Sequence, residues 1–261
     1  MIITLTTDFG LGDYVAAMKG VILGINPEAA IIDIDHSVSA QDIRRGAYVL
    51  FAATPWYPEA IHVGVVDPGV GTARRPIAIR CQGAVFVGPD NGLLVPAAAE
   101  MGIQEVRHIT NREYYVPRAS YVFHGRDLFA PVAAHLSKGV SFSDLGPVIP
   151  DYVRLDFGNP QVDATGIRGD VLTIDRFGNV ITNISRGVIS ERWRFNQKIL
   201  VTLGGYELEL PFLRSYGEAP DGSLLATISS SGFLEIAKRN GDAAAQLGAS
   251  PGMAVAVRRD E

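Results

Sequence analysis

The sequence has few of the features that mark secreted or membrane proteins. Cys81 is its only cysteine, so no disulfide can form within the chain. Residues 1–5 lack the basic start and the apolar segment of a secretory signal. No apolar run approaches the roughly 20 residues that are needed to span a bilayer. These absences predict a cytoplasmic protein that does not interact with a membrane.

Clusters of positive charge are also absent. The formal net charge is -5, and the 23 lysines and arginines are scattered along the chain. A nucleic-acid surface needs a basic patch, so we expect no nucleic-acid partner. Hydrophobic residues make up 47% of the chain, which is ample for a packed core. Because domains usually hold roughly 100–200 residues, a chain of 261 residues is predicted to form two modest domains.

The first half of the chain alternates apolar, β-branched runs with segments of helical periodicity. The runs predict strands at 2–6, 30–35, 61–66, 77–80, 85–87 and 106–109. The periodic segments predict helices at 14–25, from a capping box of Ser39 and Asp42 through residue 53, and at 126–137. Apolar strands alternating with helices are typical of a parallel sheet covered on both faces. We therefore expect residues 1–155 to form an α/β domain with a mostly parallel central sheet flanked by helices.

The second half shows a different rhythm. Residues 156–165 are predicted to be a linker, because prolines and glycines cluster around them. The strands predicted beyond the linker are 171–174, 180–183, 200–203, 206–210, 224–228, 233–236 and 254–258. The Gly204-Gly205 pair predicts a two-residue hairpin loop. We expect residues 166–261 to form a smaller all-β domain, either an antiparallel barrel or a sandwich.

Candidate chemical residues follow predicted strands of the first domain, where open α/β sheets bind their ligands. Asp8 ends the first strand, and its two carboxylate oxygens suit a vicinal diol such as ribose, although capping of the next loop explains it equally well. Asp13 suits a ligand amine or, more simply, the N-cap of the following helix. Asp67 and Arg74 can meet across a Pro- and Gly-containing turn, either in a pocket or as an inert surface ion pair.

His124 is the best placed of the five histidines, since it lies beside aromatic residues and before Gly125, which permits close backbone approach. A structural role is nevertheless the commoner one for a single histidine. The sequence contains no HExxH or paired-cysteine motif, so no metal is expected. It also lacks the GxGxxG and Walker A loops and the G-x-S-x-G nucleophile elbow.

In the second domain, Phe177 and Asn179 combine an aromatic face with an amide that can pair with a base edge. An ordinary turn around Gly178 explains the same residues. Ser230 lies in a serine run before Gly232, where its hydroxyl can bind a carboxylate or simply form a polar turn. Local pattern alone favours the turn at both places.

Six segments taken together, in order along the chain, resemble one family. They are Thr7-Asp8-Phe9-Gly10, residues 67–75, Gly88-Pro89-Asp90-Asn91-Gly92-Leu93-Leu94, Phe123-His124-Gly125-Arg126-Asp127, residues 175–183 and residues 230–236. The family is that of the S-adenosyl-L-methionine hydroxide adenosyltransferases, which are related to the fluorinase and chlorinase. The resemblance covers nearly the whole chain, and the order of the segments is far more specific than any single motif.

The resemblance implies hydrolysis of S-adenosyl-L-methionine to adenosine and L-methionine, without a cofactor, by water that attacks the ribose C5′ carbon. It implies a catalytic triad of Asp67, Arg74 and His124. In this triad Arg74 and a positively charged or donating His124 favour hydroxide, Asp67 orients the group, and the proton acceptor stays open. The implied substrate contacts are Asp8 for the ribose, Asp13 and Ser230 for the methionine end, and Phe177, Asn179 and Tyr216 for the adenine. A homotrimer is also implied, with sites between the first domain of one subunit and the second domain of its neighbour.

Two departures from the family pattern bear on these expectations. Gly125 stands where the halide-using branch carries a hydroxyl residue, which favours water over halide. Lys238-Arg239-Asn240 differs from the family's adenine-edge loop, so no base contact is assigned to it. The alternatives are a halide-using 5′-halo-5′-deoxyadenosine synthase, a non-catalytic protein that binds adenosine or S-adenosyl-L-methionine, and a metal-dependent phosphohydrolase.

Overall fold

The computed structural model describes residues 1–258, which divide into two compact units. The first unit comprises Met1–Asp156, and the second begins at Phe157. The last three residues of the predicted second domain, 259–261, lie outside the described residues. Within the described range, no helix is both long and apolar enough to cross a membrane.

The first unit is built on a six-stranded mixed sheet with the strand order β2-β1-β3-β5-β4-β6. Its strands are β1 (Ile2–Thr7), β2 (Ala30–Asp35), β3 (Ile61–Val65), β4 (Pro76–Cys81), β5 (Val85–Pro89) and β6 (Ile103–His108). Its α-helices are α1 (Asp13–Ile25), α2 (Ile43–Ala53), α3 (Val95–Glu100) and α4 (Ala130–Ser137). Helix α1 packs against α4, and α2 packs against α3.

The predicted parallel sheet is confirmed for the four strands β2, β1, β3 and β5, whose neighbouring pairs all run parallel. Strand β4 instead runs antiparallel to both β5 and β6. The reason is a short connection, since only residues 82–84 join β4 to β5 and a parallel pair needs a crossover of a dozen or more residues. Gly83 makes this tight turn with a φ of 86°.

Two helix starts differ from the prediction. Asp42 alone is the N-cap of α2, where its Oδ1 accepts the Arg45 N–H at 2.9 Å, and Ser39 contributes only its carbonyl to the preceding turn. Asp13 is the first residue of α1 rather than its cap, and Gly12 precedes it without a side-chain cap.

The helix predicted over 126–137 consists of a π-helical turn, Gly125–Phe129, followed by α4. Pro131 explains the change of winding, because it has no N–H to donate to the carbonyl of residue 127. That carbonyl accepts the backbone N–H of Val116 at 3.0 Å instead. The change of winding directly follows His124, and π-turns of this kind are frequent at functional sites.

Within the described residues, the second unit has eight strands, and seven of them form a closed barrel. Its strands are β7 (Gln161–Asp163), β8 (Gly166–Ile174), β9 (Val180–Ser185), β10 (Gln197–Leu203), β11 (Tyr206–Phe212), β12 (Leu224–Ile228), β13 (Phe233–Lys238) and β14 (Ala254–Arg258), with short helices α5 (Arg186–Ser190) and α6 (Ala243–Leu247). The β14–β8 pairing closes the barrel, and β7 pairs only with β8 outside it.

The barrel departs from the prediction at two places. The pairing of β11 with β12 is parallel, whereas the other pairings are antiparallel, so the barrel is not uniformly antiparallel. The predicted linker 156–165 contains β7, because Gln161–Asp163 find hydrogen-bond partners along β8. The predicted hairpin is confirmed: Gly204 and Gly205 have φ values of 60° and 82°, as a type I′ loop requires.

Candidate active site

The first unit brings two loops together at the carboxyl ends of parallel strands. β1 and β3 are parallel neighbours, with Thr7 opposite Val65. Asp8 follows β1 directly, and Asp67 lies two residues beyond β3. Because the carboxyl ends of parallel strands share one edge of a sheet, both carboxylates line one cleft of about 390 Å³. The lining residues of this cleft, called the Asp8 cleft below, are Asp8, Phe9, Tyr14, Ala40, Gln41, Asp67, Pro68 and Val70.

The turn between Asp67 and Arg74 is held by its own hydrogen bonds. The Thr72 hydroxyl donates to the Gly69 carbonyl at 2.7 Å and accepts the Arg74 N–H at 3.2 Å. Gly71 has a φ of 78°, and a Cβ there would lie 2.9 Å from the Tyr121 carbonyl oxygen. A glycine is therefore required at this position, both for the backbone angle and for the close approach of the loop that carries His124.

Asp67, Arg74 and His124 form one hydrogen-bonded group. Arg74 Nε donates to Asp67 Oδ1 at 3.1 Å, and Arg74 Nη2 donates to Asp67 Oδ2. The same Nη2 also donates to His124 Nδ1 at 2.9 Å. The Arg74 and Asp67 side chains are only 7% and 5% exposed, so the pair is not the inert surface ion pair that the local pattern allowed. The structure brings the three residues together as the resemblance implies, although Arg74 and His124 are 50 positions apart in the chain.

The surroundings of His124 favour its neutral imidazole. Burial lowers its pKa, and the neighbouring Arg74 charge lowers it further, against smaller opposing effects of Asp67 and Asp127. A guanidinium has donors only, so Nδ1 must be the acceptor of the Arg74 hydrogen bond and the ring proton resides on Nε2. Of the two states that the sequence left open, the donating imidazole is the one that is compatible with the Arg74 hydrogen bond.

Arg74 has one donor nitrogen, Nη1, that the hydrogen bonds to Asp67 and His124 do not use. Its Nη1 is buried and has no hydrogen-bond partner among residues 1–258. The guanidinium carbon lies 5.4 Å from the centroid of the fully buried Phe129 ring, which supports it from below. A buried, unpaired N–H costs free energy comparable to a lost hydrogen bond, so this donor is suited to a small oxygen ligand.

Asp127 fixes the loop that carries His124, and sequence reasoning did not assign it a role. Its side chain is fully buried and accepts two hydrogen bonds from Arg126, at 2.6 and 3.0 Å. Its Oδ2 also accepts the Ser120 N–H at 2.7 Å, and these bonds lower the pKa of the buried carboxyl. An aspartate in a predicted apolar helix was the signal that could have revealed it.

The Asp8 carboxylate is tied to a distant loop rather than to the loop that directly follows β1. Its Oδ2 accepts the Gln41 N–H at 2.8 Å, which ties β1 to the loop before α2. Gln41 has a φ of 66°, an uncommon conformation for a non-glycine residue that is frequent near ligand sites. Asp8 is also one of the residues that line the Asp8 cleft. Asp13 is exposed on the first turn of α1.

The second-unit candidates are tied locally or exposed. Asp175 accepts the N–H groups of Phe177 and Asn179 and the side-chain amide of Asn179, so these residues do form a turn. The Phe177 ring is nevertheless 71% exposed. Tyr216 is 45% exposed and donates its hydroxyl to Glu235 at 2.6 Å.

Ser230 is exposed, in the turn that leads into β13. β9 and β13 are antiparallel, with Val180 opposite Ile236 and Ser185 opposite Phe233. The turn containing Ser230 therefore lies at the opposite end of this strand pair from Asn179. The structure therefore does not bring Ser230 and Asn179 together.

Comparison with known proteins identifies the class of this fold and site. Residues 3–146 match the SAM hydroxide adenosyltransferase N-terminal domain, and residues 169–256 match the C-terminal domain. The chain belongs to the SAM hydroxide adenosyltransferase family.

Individual relatives are similar to this chain over nearly its whole length. It is 41% identical to the (R)-S-adenosyl-L-methionine hydrolase of Salinispora tropica, over 96% of this chain and 95% of the relative. Similarity to the fluorinase of Nocardia brasiliensis is lower, at 28% identity over 98% and 96% of the two chains. The crystal structure of an uncharacterized conserved protein from Thermotoga maritima has 39% identity and a TM-score of 0.94, covering 99% of this chain and 100% of the other.

Proposed function

We propose that this protein hydrolyses S-adenosyl-L-methionine to adenosine and L-methionine by in-line attack of water or hydroxide on the ribose C5′ carbon. The observation that carries the proposal is the buried hydrogen-bonded group of Asp67, Arg74 and His124. Relatives of nearly 40% identity or more that span almost the whole chain are named as hydrolases of this substrate, whereas the fluorinases are more distant.

The triad acts by donating hydrogen bonds to the nucleophile. Arg74 Nη1 and His124 Nε2 are the two donors that the triad itself leaves unused. A water molecule that is bonded to both donors is favoured in its hydroxide form, and Asp67 fixes the orientation of Arg74. The sulfonium leaves as a neutral thioether and the proton that the water gives up passes to solvent, so positioning of the nucleophile behind C5′ supplies much of the rate enhancement.

The proposed substrate contacts are those that the resemblance implies. Asp8, which lines the Asp8 cleft, holds the ribose hydroxyls, and the exposed Asp13 binds the methionine end. In the second unit, Ser230 binds the methionine end, and Phe177 and Tyr216 contact the adenine with exposed rings. Asn179 gives its amide N–H to Asp175, so its Oδ1 is the atom available to the adenine amino group.

The proposed assembly is a homotrimer in which each site combines the first unit of one subunit with the second unit of a neighbour. Complementation tests this arrangement. At substrate concentrations far below KM, Asp67→Asn and the double variant Phe177→Ala/Tyr216→Ala are each expected to be nearly inactive alone. Random mixing during refolding should restore about one quarter of the wild-type sites, because each restored site draws one intact unit from each parent. Sites built within single subunits would restore nothing.

The reaction is proposed to need neither a cofactor nor a metal. Within residues 1–258, no group of three or more His, Cys, Asp or Glu side chains could hold a metal ion. A hydroxyl side chain at Gly125 would be crowded, since its Cβ would lie 3.1–3.2 Å from side-chain atoms of Phe9, Met18 and Phe123, which would have to shift. This crowding favours water over a halide that would need such a hydroxyl.

The decisive experiment incubates the purified protein with S-adenosyl-L-methionine and resolves the products by chromatography and mass spectrometry. Parallel samples contain chloride, no halide, or a chelator. Adenosine and methionine in equal amounts in all three samples are expected. A 5′-halo-5′-deoxyadenosine would show a halide-using synthase, loss with chelator would show a metal enzyme, and binding without products would show a sensor.

A further inference from the structure

Glu235 is a buried carboxyl group in the second unit that the proposed mechanism does not use. It lies in the middle of β13 and is only 2% exposed. Its neighbours Leu234 and Ile236 belong to the barrel core, so alternation along the strand places Glu235 on the outer face. Fully buried glutamates are rare unless they have a partner, so this position calls for a specific one.

The partner of Glu235 is Tyr216. The tyrosine hydroxyl donates to Glu235 Oε1 at 2.6 Å, a short charge-assisted distance. Burial raises the pKa of the Glu235 carboxyl, the Tyr216 hydrogen bond lowers it, and the nearby Asp175 charge raises it again. Asp175 also accepts the side-chain amide of Asn179, so one polar cluster supports two of the residues assigned to the adenine.

Arg239 holds the other end of Tyr216. Its Nη1 donates to the carbonyl oxygens of Gly217 and Ala219, at 3.1 and 2.5 Å, and so ties down the turn that begins at Tyr216. Tyr216 is therefore fixed at its backbone by Arg239 and at its hydroxyl by Glu235. Because 45% of the residue remains exposed, an oriented ring is presented on the surface of the second unit.

We propose that Glu235 is a positioning residue that fixes the Tyr216 ring for contact with the adenine of the substrate, an inference that rests on the proposed function. Glu235 itself does not touch the substrate. A ring held in its binding orientation before the ligand arrives loses little conformational entropy on binding, which improves affinity rather than the chemical step. Arg239 serves the same ring through the backbone.

Three variants test the proposal through KM, kcat and the adenosine Kd. Glu235→Leu removes the acceptor and is expected to raise KM and the adenosine Kd about tenfold, with kcat changed by less than about twofold. Glu235→Gln keeps an acceptor oxygen and is expected to stay within about threefold of wild type. Tyr216→Phe keeps the ring but removes the hydroxyl, and its effect should match that of Glu235→Leu. The double variant Tyr216→Phe/Glu235→Leu should then be no worse than either single one.

Ile236→Val is the matched control for stability. It removes one methylene from the barrel core in the same strand, with an expected loss of about 1 kcal/mol, and should leave KM unchanged. Wild-type KM in folded Glu235→Leu would overturn the proposal, and so would additive effects in the double variant.

A substrate-free measurement separates this proposal from the proposed function. Fluorine NMR of protein labelled with 3-fluorotyrosine, with the Tyr216 signal assigned from its absence in Tyr216→Phe, reports the order of this ring. The signal should broaden or shift toward that of free tyrosine in Glu235→Leu but not in Glu235→Gln. An unchanged signal in Glu235→Leu would overturn the positioning role even if the enzyme hydrolyses its substrate. Failure of wild type to hydrolyse would overturn the proposed function alone.

Discussion

The two units hold their candidate residues in opposite ways. In the first unit, Asp67, Arg74 and His124 bond directly to one another, and the Arg74 and Asp67 side chains are almost fully buried. In the second unit, Phe177 and Ser230 are exposed. The first unit thus carries side chains that are already bonded to one another, whereas the second presents these two side chains at its surface.

The difference shows what each region is built to do. Burying an ion pair costs desolvation free energy that the attraction between the charges often fails to recover. The Asp67–Arg74 pair is therefore better explained by a need for fixed donors than by a gain in stability. An exposed aromatic ring such as Phe177 contributes little to folding and is available for a flat ligand.

The largest effect is expected for Arg74→Ala, which tests whether the bonded group of the first unit carries the chemistry. The substitution removes both hydrogen bonds to Asp67 and the bond to His124, so kcat is expected to fall by a factor of about 100 or more. Steady-state assays of methionine release measure the loss. Asp67→Ala and His124→Ala should fall by similar factors, and wild-type turnover in all three variants would refute the triad.

Arg75→Ala is the matched control for Arg74→Ala. Arg75 also pairs with a buried carboxylate, that of Asp90, and with the exposed Asp151. Its loss should lower the free energy of unfolding but leave kcat within a few-fold of wild type, because Arg75 makes no bond to the triad. An equal loss of kcat in both variants would show that Arg74 acts through stability alone.

Acid pH is expected to lower kcat/KM by breaking the hydrogen bond between Arg74 and His124. The pKa of His124 lies below its usual 6.5 because of burial and the Arg74 charge. Protonation of Nδ1 abolishes the Arg74 hydrogen bond, so kcat/KM is expected to be flat near pH 7 to 8. It should fall about tenfold per pH unit below the lowered pKa. A midpoint above pH 7 in the pH–rate profile would contradict a neutral His124.

The free energy of unfolding is expected to fall at acid pH, as kcat/KM does. The folded pKa of His124 is lower than the unfolded one, so the unfolded state binds more protons between the two values. The resulting stabilisation is fully present above about pH 6.5 and is lost as the pH falls through the folded pKa. Other histidines titrate here as well, including His62 with a pKa of about 4. The difference between wild type and His124→Gln in urea unfolding isolates the contribution of His124.

Much of the fold was predictable because its signals are local. Apolar runs fixed the positions of the strands, and the Gly204-Gly205 pair fixed one hairpin. The antiparallel β4 and the parallel β11–β12 pair were missed, since strand direction depends on pairing between distant segments. The π-turn after His124 was missed because it depends on the backbone N–H that Pro131 lacks.

The site was predictable only in its chemical types. Local pattern favoured a surface ion pair of Asp67 and Arg74 over a pocket. Only the resemblance joined these two residues to His124, which lies 50 residues beyond Arg74. The Asp127 contacts and the Gln41 hydrogen bond to Asp8 arise from loops that fold back on each other. Contacts of that kind carry no periodic signal in the sequence.

Phe177→Ala tests whether the exposed ring in the second unit binds substrate rather than stabilising the fold. Loss of an aromatic face that stacks on a base is expected to raise KM about tenfold, with kcat nearly unchanged. Because the ring is 71% exposed, the free energy of unfolding should change by no more than about 0.5 kcal/mol. Calorimetric titration with adenosine and urea unfolding measure both quantities. A large loss of stability with normal KM would make Phe177 structural.

Ser230→Ala is the smallest change that tests the second unit. The turn into β13 is held by Ser229, whose hydroxyl contacts Ser231 at 3.0 Å and accepts the Phe233 N–H at 3.2 Å. Removing the Ser230 hydroxyl therefore leaves the turn intact, and the loss of one exposed hydrogen bond to the substrate carboxylate should raise KM about threefold. Ser229→Ala is the matched control, expected to lower stability instead. If Ser230→Ala leaves KM for S-adenosyl-L-methionine unchanged, the serine turn is only structural, and the methionine end is held by groups of the first unit such as Asp13.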